Sequence, residues 1–365
     1  MMNRSTPLNS RTLRIVAAGS IAAIAALGFT ACSGSGSGSD KVGVSLIVKT
    51  TTNPYFVAME DAAKADAAKA GVNLTLAAGK QDGDVGTQVQ AIESAIGRGD
   101  KGILITPNGP GVQNAIDKAR KAGLYVIALD TVPTPPSSVD ITFATDNFKA
   151  GEDIGKWAAA QLAGKSADIA MLDLFNTQVV SVDLNRDQGF LKGMGITVPD
   201  SSKNGSEAKS GNYTGGKGGS YTIAGHQPTN GDAADGRTAM ETILAKDPNV
   251  NVVYTINEPA AYGAYQALKA AGKDKSTILV SIDGGCTGVG QVTSGIIGAT
   301  SQQYPSKMAA LGMEAIVKLA KTGAKPKTTA GLDFYNTGSQ LITQTPVSGL
   351  TSITPDQGSK ICWGK

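Results

Sequence analysis

The chain has 365 residues with 33 Lys plus Arg, 30 Asp plus Glu and a single His. The first 31 residues carry three Arg and no acid, so the remainder is charge-balanced, which excludes the basic footprint of a nucleic-acid binder. One His and three Cys exclude a His/Cys metal cluster, and the length beyond residue 31 suits two domains of ~150 residues, Gly-rich and poor in aromatics as in α/β proteins with tight strand–helix turns.

The first element is a targeting segment. Arg4, Arg11 and Arg14 precede an apolar run over 15–29, and Thr30-Ala31-Cys32 follows. That order of charge, apolar run and small residues predicts a secretory signal peptide over 1–31. The run falls short of the ~20 apolar residues of a membrane span. A Cys directly after the cut resembles a bacterial lipobox, with Phe29 where that pattern has Leu. The resemblance implies lipid attachment at Cys32, and the Gly/Ser stretch over 32–40 is then a flexible tether. Cys286 and Cys362 remain, and in an exported, oxidising compartment they are expected to form a disulfide.

Beyond the tether, strands and helices alternate. The run 42–48 predicts a buried strand. A helix follows over 53–70, with a small apolar face of Ala58, Ala62, Ala63 and Ala67, stopped by Gly71. A strand over 72–76 leads to a helix over 85–96, ended by Gly97 and Gly99. Then come a strand over 102–106, a helix over 112–122 and a strand over 125–129. Pro133, Pro135 and Pro136 mark a break. The pattern restarts near Asn147, with strands over 169–174, 221–224, 250–255 and 277–282. Helices are expected around 186–193 and over 231–244 and 260–271. The alternation predicts two parallel sheets with right-handed crossovers, an α/β chain of two Rossmann-like lobes. Residues 200–220, rich in Gly, Ser and Lys, read as a solvated insertion loop. Within it 211–218 falls one residue short of a phosphate-cradling loop, with Gly218 where Ser or Thr is required.

In parallel sheets, ligands lie beyond the carboxyl ends of the strands. The polar residues there are Lys49 with Asn53, Tyr55 and Phe56, then Thr106 and Asn108, Asp130, Thr145 with Asp146 and Asn147, residues 173–178, His226, Asn257 with Glu258, and Asp283. The set holds no activated nucleophile and no hydrolase or metalloprotease motif, so no catalytic residue is assigned. Asn and Asp side chains fix hydroxyls at defined angles, and aromatic faces suit the apolar face of a sugar ring. Each residue also has a structural reading. Asn53 can cap the first helix, Asp130 and Asp283 can cap strand ends, and Arg186 can lie on a helix surface. Asn257-Glu258-Pro259 can open a helix. Asp82 and Asp84 with Lys80 read as a solvated turn, and the lone His226 as structural.

Taken together, several stretches resemble the type I periplasmic sugar-binding proteins of ABC importers, the ribose-binding-protein family. They are Thr52-Asn53-Pro54-Tyr55-Phe56, Ile127-Ala128-Leu129-Asp130, Ala144-Thr145-Asp146-Asn147, Arg186-Asp187-Gln188-Gly189-Phe190, Asn257-Glu258 with Gly263-Ala264, Asp283-Gly284 and Gln303-Tyr304-Pro305. The run over 144–151, the run over 254–260, and Asp283-Gly284-Gly285-Cys286 with Cys362-Trp363-Gly364 are similar to fructose-type members. The resemblance implies two lobes, 41–145 plus 304–335 and 146–303 plus 336–365, joined by a hinge of three strands near Thr145, Gln303 and Asn336. It implies sugar contacts from Asn53, Tyr55, Phe56 and Asp130 on the first lobe. Thr145, Arg186, Asn257, Asp283 and Gln303 are implied on the hinge and second lobe. Thr131 stands where the family often has Arg, and Lys49 would add a charge at the cleft mouth. The implied activity is capture of a monosaccharide, fructose first and another hexose or a pentose such as ribose next. The implied chain is an extracytoplasmic monomer that closes on the sugar and serves ABC permease subunits, without cofactor or metal. A receptor for a sugar or autoinducer sensor shares the fold. A lac-repressor-type regulator also shares it but needs a helix-turn-helix where this chain has its signal segment. An enzyme would need the base and nucleophile that are missing.

Overall fold

The computed structural model describes residues 41–364. The readings on the signal segment, Cys32 and the tether lie outside the described residues. Among the described residues no helix is long and apolar enough to cross a membrane.

The chain runs β1 (Gly43–Val48), α1 (Pro54–Ala70), β2 (Asn73–Ala78), α2 (Val85–Arg98), β3 (Gly102–Ile105), α3 (Gln113–Lys121), β4 (Tyr125–Leu129) and β5 (Ile141–Ala144). It continues with α4 (Asn147–Leu162), β6 (Ala167–Asp173), α5 (Ser181–Met194), β7 (Ser210–Tyr213), β8 (Gly219–Pro228), α6 (Ala233–Lys246), β9 (Val252–Thr255), α7 (Glu258–Ala270), β10 (Ile278–Asp283), α8 (Cys286–Thr293) and β11 (Ala299–Gln302). It closes with α9 (Pro305–Thr322), β12 (Tyr335–Asn336), β13 (Gln340–Thr343) and the short α10 (Pro355–Gly358). Two sheets result, in the orders β12-β5-β4-β3-β1-β2 and β13-β11-β10-β9-β6-β8-β7. The first is parallel throughout, and the second has β7 and β13 antiparallel to their neighbours.

Strand alternation decides which helices cover which face. On β1, Val44, Leu46 and Val48 pack against Met59 and Ala63 of α1 and Met308 and Ile316 of α9. Ile47 points the other way, into Ile92 of α2 and Ile116 of α3. In the second sheet Ile169 and Met171 face α4 and α5, while Ala170 and Leu172 face α6 and α7. Both sheets are covered on both faces, as parallel sheets require.

The chain passes between the two sheets three times: between β5 and α4, between β11 and α9, and between β12 and β13. Helix α4 starts on Asp146, whose carboxylate accepts from Lys149 N–H at 3.0 Å. It lies against α5 through four glycines. A Cβ on Gly151 or Gly155 would stand 2.3 or 2.2 Å from the carbonyl oxygen of Arg186 or Phe190. A Cβ on Gly189 or Gly193 would stand 2.2 Å from that of Phe148 or Glu152. Backbone therefore touches backbone, a contact that no larger residue permits.

Two expectations are corrected. The 200–220 segment is not a solvated loop throughout: β7 pairs antiparallel with β8, and Tyr213 is buried with its hydroxyl donating to Lys165 O at 2.7 Å. The Tyr residues at 213 and 221 pack on the core edge, and the Gly- and Lys-rich composition hides them. The phosphate-loop look-alike over 211–218 is this strand and its turn, with Gly216 and Gly218 at positive φ. Gly97 does not end α2, which runs on to Arg98 and is closed by Gly99 at φ 72°.

Candidate functional site

The carboxyl ends of both sheets face a shared cleft, and most of the sequence-predicted residues meet there. Asp130 directly follows β4 and Asp283 ends β10, one from each sheet. Both are buried, and both have positive φ, 65° and 145°. A non-glycine residue held there costs ~1–3 kcal/mol, a strain that concentrates where geometry serves function.

The two carboxylates are braced in parallel ways. Asp130 accepts from the Thr131 hydroxyl at 2.8 Å and faces Lys49 Nζ at 3.6 Å. Asp283 accepts from Gln303 Nε2 at 2.7 Å and faces Arg186 Nη1 at 3.8 Å. Glu258, at the start of α7, holds the turn after Asp283 by accepting from Gly284 N–H at 2.9 Å, Gly285 N–H at 3.1 Å and the Thr300 hydroxyl at 2.8 Å. Arg186 is fixed before any ligand arrives: Nε donates to Asn147 Oδ1 at 2.7 Å and Nη1 to Ile256 O at 2.9 Å.

Lys49, Asn53, Tyr55, Phe56, Asp82, Asp130, Arg186, Asn257, Asp283 and Gln303 enclose a cavity of about 30 Å³. That is room for water-sized guests only. It adjoins a larger cavity of about 700 Å³, which shares Asn53, Asp82 and Asp283 and adds Thr50, Thr52, Glu258 and Trp363. The latter volume lies in the range of small-molecule sites.

The predicted residues differ in what they still offer. Asn53 caps α1, its side-chain carbonyl accepting from Tyr55 N–H at 2.9 Å, which leaves its amide N–H groups as donors. Asn257 caps α7 by accepting from Ala260 N–H at 3.0 Å and donates to Gly231 O at 2.9 Å, so it is largely scaffold. Tyr55 and Phe56 are buried walls with rings edge-to-face at 5.2 Å. Gln303 keeps a buried, unpartnered Oε1. Thr145 is buried with an unpartnered hydroxyl and lines neither cavity.

Three participants were misplaced or missed by sequence reasoning. Lys49 does not stand at the mouth: it is 3% exposed, with Nζ 5.9 Å from the Phe56 ring centre and 4.0 Å from Asp82. Asp82 is not in a solvated turn: it is buried, and its Oδ1 has no hydrogen-bond partner. Asn108 folds that turn inward, donating to Lys49 O at 3.2 Å and accepting from Gly83 N–H at 2.9 Å. Asp84, its neighbour, does cap α2 in solvent. The third is Trp363. Cys286 and Cys362 form a disulfide with Cα atoms 4.9 Å apart. Next to it, Trp363 O accepts from Cys286 N–H at 2.9 Å, and the indole N–H donates to Gln303 O at 3.0 Å. The indole meets the Tyr55 ring edge-to-face at 5.3 Å. The available signal was its position beside a cysteine.

Burial pushes the Asp82 carboxyl up to about 6 against the pull of Lys49, and that of Asp283 up to about 6 against Arg186. Burial and then the charge of Asp283 push Glu258 up to about 8. The cleft thus holds crowded carboxyl groups, two cations and unpartnered acceptors, an arrangement that takes hydroxyl donors.

Comparison with known proteins agrees with this architecture. The ribose import binding protein RbsB of Escherichia coli is 28% identical over 279 residues, covering 76% of this chain and 84% of that protein. The D-allose-binding periplasmic protein of Escherichia coli is 24% identical over 306 residues, covering 82% and 91%. Among solved structures, a galactofuranose binding protein superposes with a TM-score of 0.70 at 23% identity, covering 87% of this chain and 96% of that one. An ABC transporter periplasmic solute binding protein from Actinobacillus succinogenes with bound D-allose gives 0.68 at 22% identity, covering 88% and 100%. The periplasmic binding protein domain model matches residues 44–325, and with two parallel-sheet lobes of the type I arrangement the chain belongs to the periplasmic binding protein family.

Proposed function

We propose that the chain is the extracytoplasmic substrate-binding protein of an ABC importer. It captures a monosaccharide between its lobes and presents the closed form to the permease subunits. The observation that carries this reading is the facing pair Asp130 and Asp283, each at a strained strand end and each braced by a cation and a hydrogen-bond donor. Such carboxylates accept from vicinal hydroxyls, and Gln303 Oε1 and Asp82 Oδ1 add acceptors that have no partner in the protein. The named relatives, which bind ribose and allose, support a sugar. The fructose-type motifs around 144–151, 254–260 and 283–286 make fructose the first candidate, with another hexose or a pentose next.

The proposed contacts are Asn53, Tyr55, Phe56 and Asp130 from the first lobe, and Thr145, Arg186, Asn257, Asp283 and Gln303 from the hinge and second lobe. The inner cavity of about 30 Å³ is too small for a sugar, so entry requires the lobes to part about the three crossings. Ligand bonded to both lobes then favours closure. Lipid attachment at Cys32 would hold this monomer at the outer face of the membrane. Calorimetry against fructose, ribose, allose and a set of amino acids tests the reading. One monosaccharide should bind with a Kd of about 1 μM, near −8 kcal/mol. Binding of amino acids and of no monosaccharide would overturn it.

A further inference from the structure

Behind Arg186, on the second sheet, carboxylates gather around the only histidine of the chain. Asp173 ends β6, His226 lies on β8, Asp187 lies on α5, and Glu207 comes from the segment before β7. His226 Nε2 sits 2.7 Å from Glu207 Oε1, while Nδ1 sits 2.7 Å from Asp173 Oδ2 and 3.8 Å from Asp187 Oδ2. One atom each of Asp173, Asp187 and His226 falls within a mutual distance of 4.8 Å.

Hydrogen bonding inside the protein does not account for this cluster. Asp187 is completely buried, and neither of its oxygens has a partner; Asp173 Oδ1 and Glu207 Oε2 are buried and unpartnered too. Asp183 beside them already accepts from Leu174 and Phe175 N–H. Arg186 is committed to Asn147 and Ile256 and turned towards Asp283. An imidazolium shared by Asp173 and Glu207 would satisfy one oxygen of each and meet Asp187 only as an ion pair at 3.8 Å, with no hydrogen bond to either of its oxygens. A buried carboxylate in that condition costs several kcal/mol.

We propose that Asp173, Asp187 and His226 Nδ1 bind a divalent cation of the Mn²⁺ or Zn²⁺ class. Two carboxylates and an imidazole form a mixed O/N set suited to these ions more than to Ca²⁺, which takes oxygens alone. Glu207 plays the outer part: accepting from Nε2–H, it fixes the tautomer that turns the Nδ1 lone pair to the ion. The Nδ1–Oδ2 pair at 2.7 Å would open to the ~3.4 Å that separates two ligands held ~2.1 Å from a tetrahedral ion. Partial exposure of His226, at 23%, provides a way in. The ion would clamp α5, β6, β8 and the segment before β7 together, and so hold α5, which carries Arg186, against its sheet.

The test uses the full chain stripped with EDTA and then titrated with Mn²⁺, Zn²⁺ or Ca²⁺. About one Mn²⁺ or Zn²⁺ per chain should bind and raise the thermal midpoint, and EDTA should reverse the rise. The single imidazole signal in the NMR spectrum should shift with Zn²⁺ and broaden with Mn²⁺. Glu207→Gln, which removes no ligand, should weaken binding about 10–100-fold, and Asp187→Asn should abolish it. If Asp187→Asn does not fold, the imidazole signal and Glu207→Gln still decide. The proposal is overturned by a folded wild-type chain that takes up no Mn²⁺ or Zn²⁺, by preference for Ca²⁺, or by uptake that leaves the imidazole signal unmoved.

Discussion

Asp130 and Asp283 are matched across the cleft by position, conformation and bracing, so removing either carboxylate should damage binding while leaving the fold. Asp130→Ala and Asp283→Ala are each expected to weaken sugar binding by ~2–4 kcal/mol, because a buried hydroxyl loses a charged acceptor. Calorimetry beside a thermal melt checks this; full affinity in both variants would remove the pair from the site. Acid should act in the same place with two signs. Burial holds the Asp82 and Asp283 carboxyls up at about 6 in the fold, against 3.8 for an ordinary aspartate. Between about pH 4 and 6 the fold therefore holds more protons than the unfolded chain, and these two groups contribute stability that is lost as pH rises through 6. Binding runs the other way, since protonation removes an acceptor. Affinity at pH 5 should be about tenfold weaker than at pH 7.5, and Asp283→Asn should flatten much of that dependence. Asp130 and Asp283 were legible from the sequence, because strand-end placement and side-chain chemistry are local, whereas spacing alone put Arg186 on a helix surface and only the family resemblance pointed to its place in the cleft. The burial of Lys49 and Asp82 was not legible, because it depends on Asn108, a residue far along the chain that pulls the intervening turn inward.

Among the elements, the α4–α5 pair is in backbone contact at four glycines. Gly151→Ala or Gly189→Ala places a methyl about 2.2–2.3 Å from a carbonyl oxygen of the facing helix, so the helices must part. A loss of ~1–3 kcal/mol in stability is expected, with weaker sugar binding as Arg186 moves off Asn147. Gly97 supplies the contrast: it is exposed within α2, and a Cβ there meets nothing within 4 Å. Gly97→Ala should stabilise by ~0.5–1 kcal/mol. Urea melts of the three variants give both answers, and equal effects would discredit the packing account. The strand–helix alternation was legible because apolar runs of 4–6 residues bounded by Gly are strong local signals. The β7–β8 hairpin was not, because two tyrosines in a Gly- and Lys-rich stretch become core residues only when the neighbouring helices supply a surface for them.

At the scale of the molecule, the disulfide ties the C-terminal segment to α8 on the second lobe, while Trp363 reaches Tyr55 on the first. Cys286→Ser with Cys362→Ser should release that contact. Sugar affinity should then fall by the ~0.5–1.5 kcal/mol of an aromatic pair, as calorimetry would measure. The pairing of two cysteines was legible from the exported context, but the indole's destination across the cleft was not, since 76 residues separate the bonded cysteines.

That bridge also makes the protein its own optical probe. The chain has two tryptophans. Trp157 is buried in the second lobe with its N–H on Thr345 O, so Trp157→Phe leaves an emitter whose ring touches both halves. Parting of the lobes would draw Tyr55 away from the Trp363 indole and admit water, moving its emission to the red, and a captured sugar would reverse the shift. Stopped-flow fluorescence on that variant would time opening and closure without any attached dye.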